Sequence, residues 1–344
     1  MRTRRIKVPP DHPSAVYHCI SRVVDKRPIF DTPEKEHFLA LLRECEAFCR
    51  VRVLTFALMS NHFHVLVEVP RRPDPSLLPS PDQIVQDLQA LSGHQDPNAV
   101  AQRFQMYRQA NDPDALARYL ASFHARLYDL SAFMKLLKQR FSQWFNSRSG
   151  RKGTLWEERF RSVLVEGHGH ALTTMAAYID LNAVRAGLVR DPKDYRWCGY
   201  GEAVAGRRRA KLGVQALVTA LQRGREESVS KSLEVYRMHL YLEGEEGREA
   251  IGEDGRPVRG TLSRQAAVAV LQAKGRLPVA EYLRCRVRYF CDGAVFGGRE
   301  FVEGIFRAYR DRFGPRRKTG ARRLRGLAER GLFALRDLQK GVFG

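Results

Sequence analysis

What this chain lacks narrows it before any motif does. It has no run of about 18 apolar residues, so no membrane-spanning helix is expected. Its opening, MRTRRIKVPP, is basic but lacks the apolar stretch of a secretory signal, and the expected compartment is the cytoplasm. Acidic residues are short: 38 Asp and Glu stand against 59 Lys and Arg, a net charge of +21. Such an excess asks for a polyanion partner, nucleic acid first and anionic membrane second, and a nucleic-acid partner puts the protein at the nucleoid. Cysteines are few, at 19, 45, 49, 198, 285 and 291. Only Cys45 and Cys49 fall close together, and no four-ligand zinc spacing exists, so all six read as reduced, mostly buried thiols.

What is present suffices for two or three domains, with 344 residues and 44% hydrophobic content. Residues 15–24, AVYHCISRVV, alternate as a strand does. Thr32-Pro33-Glu34 opens a helix with a cap, a first-turn proline and a first-turn acid, and Phe38, Leu41, Leu42 and Cys45 form its apolar stripe. Two apolar strands joined at Ser60-Asn61 follow within Val51–Pro70. The order β-α-β-β begins a small α+β sandwich, an antiparallel sheet with helices on one face. Residues 71–125 interrupt it with proline-rich linkers and helical segments. Seven Asp and six Arg in residues 71–130 leave that part nearly neutral. It reads as a helical insertion.

From Asp129 a long helix resumes, with Phe133, Leu136, Leu137, Phe141, Trp144 and Phe145 at helical spacing. Lys135, Lys138, Arg140 and Arg148 lie on its other side. Arg151 and Lys152 follow in a loop that leads to Trp156, Arg159 and Arg161. Bases interleaved with aromatics suit backbone neutralisation and base stacking on a single strand, so Lys138, Arg148, Arg151, Lys152, Trp156, Arg159 and Arg161 are candidate DNA contacts. A strand over Ser162–Glu166 precedes AAYIDLNAVRAGLV, a helix with Tyr178 and Asn182 one turn apart on one face.

The chemistry gathers on three segments. His62-Phe63-His64 sits on a strand, so both imidazoles share a face while Phe63 points into the core. An arbitrary His-x-His is more often an edge imidazole beside a core one. Here a tyrosine and an amide accompany it on a basic protein. A divalent ion held by two imidazoles and an amide oxygen keeps positions open for phosphate, and its field favours a tyrosine phenolate as nucleophile. A second His-x-His, His168 and His170, stands at a glycine-rich helix entry and reads as capping.

MSNHFHVLVEV, LWEERFRS and YIDLNAVRAGLV, in that order, resemble the IS200-like single-tyrosine transposases of the HUH class, above all the REP-associated tyrosine transposases. The resemblance covers about residues 12–205 apart from the insertion. It implies a ferredoxin-like core and a Mg²⁺- or Mn²⁺-dependent nickase and strand transferase working on single-stranded DNA near hairpins through a 5′-phosphotyrosine. Carried onto this chain, His62 and His64 become metal ligands, Tyr178 the nucleophile and Asn182 the third ligand. Ala183 stands where relatives commonly have proline, and the insertion is longer than in compact members.

The expected organisation is a catalytic domain over 1–70 and 126–205, a helical insertion over 71–125, and an all-α basic C-terminal domain over 206–344. In the last, residues 214–223, 228–243, 262–274, 277–290 and 299–313 read as helices. A helix-turn-helix reader and an ordinary small bundle would look alike there. The tail from Arg316 to Lys340, with a partly helical leucine pattern, adds Arg316, Arg317, Lys318, Arg322 and Arg323 as candidate backbone contacts. Both a monomer and a homodimer are compatible with the sequence. Two other functions stay open: a non-catalytic hairpin-binding protein, and a metal-dependent hydrolase with no covalent step.

Overall fold

The computed structural model describes residues 5–9, 12–91, 95–222, 224–244, 246–251, 257–261, 288–291, 293–323 and 331–335. The chain divides into two compact units. One comprises Met1–Arg22, Val53–Glu68 and Arg159–Gly344; the other comprises Val23–Arg52 and Val69–Glu158.

The chain opens with β1 (Ser14–Arg22), α1 (Thr32–Phe48), β2 (Arg52–Leu58) and β3 (His62–Pro70). It continues through α2 (Pro81–Gln89), α3 (Pro97–Gln109), α4 (Pro113–His124) and α5 (Leu130–Arg148) to β4 (Arg161–Val165). Strand order among the described residues is β2-β3-β1-β4, then β7 (Val295–Gly298), β9 (Leu332–Leu335) and β8 (Arg322–Arg323). In chain order α1 follows β1 and α5 precedes β4, the β-α-β-β-α-β succession of elements of a ferredoxin-like fold. The α+β expectation holds. β1 and β4 pair antiparallel, with His18 opposite Val163.

The sheet is mixed, not wholly antiparallel, because β7 runs parallel to β4. A strand that returns after a long helical connection is free to lie in the same direction as the one it left. The C-terminal third, read from sequence as all helical, thus supplies five strands among the described residues: β7, β8 and β9 in this sheet, and β5 (Glu246–Ile251) and β6 (Pro257–Thr261), which pair antiparallel with each other. Leu332 and Leu335, part of the helical leucine pattern, lie on β9 and pair with Gly298 and Val295. The helix pair expected over 262–290 falls almost wholly outside the described residues, as do residues 324–330 and 336–340 of the basic tail. The helix Arg299–Ala308 is present where one was expected.

In the second unit the near-neutral stretch finds its use. Ser80, Asp96, Asp112 and Asp129 cap four successive helices, each side chain accepting from a first-turn backbone N–H. The acids there serve helix starts, which leaves the chain's excess of bases to other segments. Phe30, Phe38 and Phe141 form an aromatic cluster within the same unit, with ring centroids 5.0–5.5 Å apart. Arg140, placed by sequence on the solvent side of α5, is buried and donates to Glu44 at 2.7 Å.

Within the first unit, α6 (Gly169–Asp180), α7 (Asn182–Arg185), α8 (Gly199–Val204), α9 (Arg208–Leu221) and α10 (Val229–Gly244) follow β4. Every residue of α6 from Ala171 to Asp180 is buried. Its sequence, ALTTMAAYID, has no charged face, and a helix apolar all round must be enclosed all round. Two glycines let the backbones close: a Cβ at Gly199 would overlap Thr55, and one at Gly213 would overlap the Leu54 carbonyl. Small residues on α8 and α9 therefore bring both helices onto β2.

Candidate active site

The hairpin between β2 and β3 closes with Met59 N–H donating to the His62 carbonyl at 2.9 Å, which fixes where the imidazoles start. Alternation along β3 then sends Phe63, Val65 and Val67 to one face, all at 0% exposure. The other face is covered too, for His64 is 3% exposed. The rings of His62 and His64 lie 5.1 Å apart and nearly perpendicular. Burial lowers His62 to about 4, with Arg22 adding to it, and holds His64 well below the ordinary imidazole range. Both are neutral at pH 7 and carry a lone pair. His62 Nδ1 meets Asn61 Oδ1 at 2.7 Å; that oxygen accepts, so the free lone pair of His62 is on Nε2.

Sequence reasoning passed over a third imidazole. His18, in the middle of β1, is fully buried; its Nε2 lies 2.9 Å from His64 Nδ1, and its Nδ1 lies 2.9 Å from the Phe290 carbonyl oxygen. The available signal was a histidine inside an otherwise apolar strand, AVYHCISRVV. Nothing in a single sequence said that β1 would lie beside β3.

Tyr178 reaches this cluster from α6. Its ring centroid is 5.9 Å from that of His64 and 5.9 Å from that of His18. The helix that carries it is pinned by Asp180, two residues on. Asp180 Oδ1 accepts from Thr55 Oγ1 at 2.7 Å and from Tyr200 N–H at 3.0 Å, and Oδ2 accepts from Tyr236 at 2.7 Å. β2, α8 and α10 are thus tied to the tyrosine helix through one carboxylate. Burial pushes Asp180 up to about 6 although these hydrogen bonds pull the other way.

The surroundings of Tyr178 are close. Phe290 stacks on its ring at 4.4 Å, Arg185 lies 4.6 Å from its centroid, and its hydroxyl is 3.0 Å from Cys291 Sγ. Burial raises the phenol above its ordinary range and Cys291 adds to that, while Arg185 opposes it. Asn182 is not on α6 itself; it opens α7 after a break at Leu181. Its Nδ2 donates to the Tyr178 and Ile179 carbonyls at 3.0 and 3.2 Å, closing the end of α6 and leaving Oδ1 as the donor atom for a ligand. Among the described residues, no three His, Cys, Asp or Glu form a group that could hold a metal ion. A cation at His62 and His64 therefore needs a third donor of another type, and an amide oxygen is one.

The candidate DNA contacts divide by environment. Lys152, Arg159, Arg161, Arg316, Lys318, Arg322 and Arg323 are exposed, as is Arg148, which lies over Trp144 and 3.7 Å from Glu34. Lys138 and Arg151 are half-buried and donate to the Glu158 and Thr154 carbonyls. Arg317 sits over Phe306 and Phe313 and donates to the Thr319 and Gly320 carbonyls, which makes it a brace for its own loop. Trp156 does not offer a face for stacking. It is 8% exposed, and its N–H is shared by the Lys138 carbonyl and Ser142 Oγ. The second His-x-His pair makes no cap: His168 stands at the N-cap of α6 without a side-chain capping bond.

Residues 12–94 match the family model described as Transposase IS200 like, a span that holds β1, α1, β2, β3 and α2 and with them His18, His62 and His64. No curated protein matches the chain. Among solved structures, this chain is similar to a REP-associated tyrosine transposase bound to a REP hairpin. The two are 13% identical with a TM-score of 0.37, and the likeness covers 60% of this chain and 86% of that one. No helix among the described residues is long and apolar enough to cross a membrane.

Proposed function

We propose that this protein cleaves and rejoins single-stranded DNA near hairpins through a tyrosine–phosphate link, with Tyr178 as nucleophile. The observation that carries this reading is the approach of the Tyr178 ring to within 5.9 Å of the buried ring of His64, a residue that itself lies on the span matching IS200-like transposases. Tyr178 Oη attacks a backbone phosphorus, and the bond from phosphorus to the 3′ oxygen breaks. The products are a 5′-phosphotyrosine and a free 3′-hydroxyl that has taken up a proton. The phosphodiester bond energy is kept, so attack by a 3′-hydroxyl reverses the step without a nucleotide cofactor.

Neutral imidazoles at His62 and His64, each with a lone pair, fit Mg²⁺ or Mn²⁺, and Asn182 Oδ1, left open by the Nδ2 hydrogen bonds, would supply the third donor. Such an ion, when bound, withdraws charge from the phosphate and stabilises negative charge on oxygen. Arg185 provides a fixed positive charge beside the phenol, opposing the burial that keeps it protonated. The exposed bases Arg148, Lys152, Arg159, Arg161, Arg316, Lys318, Arg322 and Arg323 neutralise phosphates along the strand and stem.

The test is incubation of labelled hairpin DNA with Mn²⁺ followed by a denaturing gel. A covalent adduct that disappears in Tyr178→Phe supports the reading. Nicking without an adduct makes the protein a hydrolase, and binding without cleavage makes it a hairpin-holding protein.

A further inference from the structure

His18 lies outside the set of residues that would touch a cation or DNA, yet it bonds both to one of them and to a distant segment. The Phe290 carbonyl oxygen can only accept, so at 2.9 Å His18 Nδ1 must carry the hydrogen. The opposite tautomer would face two lone pairs across that distance. His18 is fully enclosed, where a second proton on the ring is disfavoured, so its Nε2 is the acceptor. The atom facing Nε2 is His64 Nδ1, again at 2.9 Å, and it must therefore donate. The ring planes differ by only 18°, and the 5.1 Å between centroids exceeds the N–N distance by close to two full ring radii, the largest excess the contact allows. The two rings therefore meet edge to edge in nearly one plane, as an N–H···N bond requires, and do not lie face over face.

We infer that His18 is a positioning residue that holds His64 with hydrogen on Nδ1 and its lone pair on Nε2, the nitrogen it presents to a divalent ion. The inference rests on the reading of His62 and His64 as a cation-binding pair. It extends that reading to a relay running from a main-chain carbonyl through His18 to His64. Asn61 does the same for His62 from the hairpin turn, so both imidazoles are set with the same nitrogen free. An outer partner that fixes ring and tautomer typically changes metal affinity by about 10–100-fold.

Two measurements on the full chain test it. Imidazole ¹⁵N NMR of the metal-free protein should show His64 with a protonated Nδ1 and a bare Nε2, a state that His18→Phe, which cannot accept, should lose. His18→Gln, whose Oε1 can accept from His64, should keep it. Titration with Mn²⁺ alone should then show about 10–100-fold weaker binding in His18→Phe and near wild-type binding in His18→Gln. A wild-type His64 protonated on Nε2 overturns the inference, and so does wild-type Mn²⁺ affinity in a folded His18→Phe. If Mn²⁺ binds wild type and His62→Ala alike, the cation-pair reading fails. The ¹⁵N pattern, read without metal, then still decides whether His18 sets the tautomer.

Discussion

Three buried imidazoles set the acid limit of this protein. His18 and His62 are lowered to about 4 by burial, and His64 is lowered as well, whereas in the unfolded chain each titrates near the ordinary value of about 6.5. Between those limits the unfolded chain binds more protons than the folded one. The stabilisation is complete above about pH 6.5 and is lost as pH falls toward 4. Asp180 acts in the opposite sense: with its pKa pushed up to about 6, the folded state binds the extra proton between about 4 and 6. Three groups oppose one, so urea midpoints should fall from pH 7 to pH 5. They should fall more steeply in Asp180→Asn, which lacks the compensating carboxylate; an unchanged midpoint across this window would refute the assignment of neutral, buried histidines. His62, His64 and Tyr178 were legible in the sequence because alternation on a strand and spacing on a helix are local rules. His18 was not, since its role depends on which strand lies alongside.

At the scale of elements, α6 is held by its neighbours and not by its own propensity. Its threonines and its lack of i,i+4 ion pairs give it little strength alone, so its place depends on Asp180 and on the close approach of α8 and α9 to β2. Gly199→Ala forces a methyl into Thr55 and should cost about 1–3 kcal/mol in chemical denaturation, with weaker Mn²⁺ binding as β2 and the adjoining hairpin shift. Unchanged stability would show that α8 is free to move. The β-α-β-β start and the long amphipathic α5 could be read from periodicity. β7 and β9 could not: each is only four residues long, too short to show a period, and the leucines of β9 fit a helical pattern equally well. Trp156 misled for a related reason. A tryptophan among arginines looks exposed until its N–H finds two acceptors in α5.

For the whole molecule the +21 charge is the quantity that matters. Each phosphate contact to a single strand contributes about 0.7 to the slope of log affinity against log salt. Replacing the exposed Lys152, Arg316 and Lys318 together by Ala should lower that slope by about 2, while the corresponding change at the braced Arg317 should act through stability. A slope that does not move would mean these side chains face solvent and not DNA. Charge predicted a polyanion partner from composition alone, but only burial separates bases that reach outward from those, like Arg140, that are spent inside.

The claim under all of this is that Tyr178 takes the phosphate. Trapping the DNA adduct, digesting it with trypsin and locating the nucleotide by mass spectrometry tests that directly. Ser162–Arg185 is one tryptic peptide and contains a single tyrosine. The account predicts the nucleotide mass on this peptide at Tyr178. A nucleotide on any other residue, or cleaved DNA with no peptide attached, would contradict it.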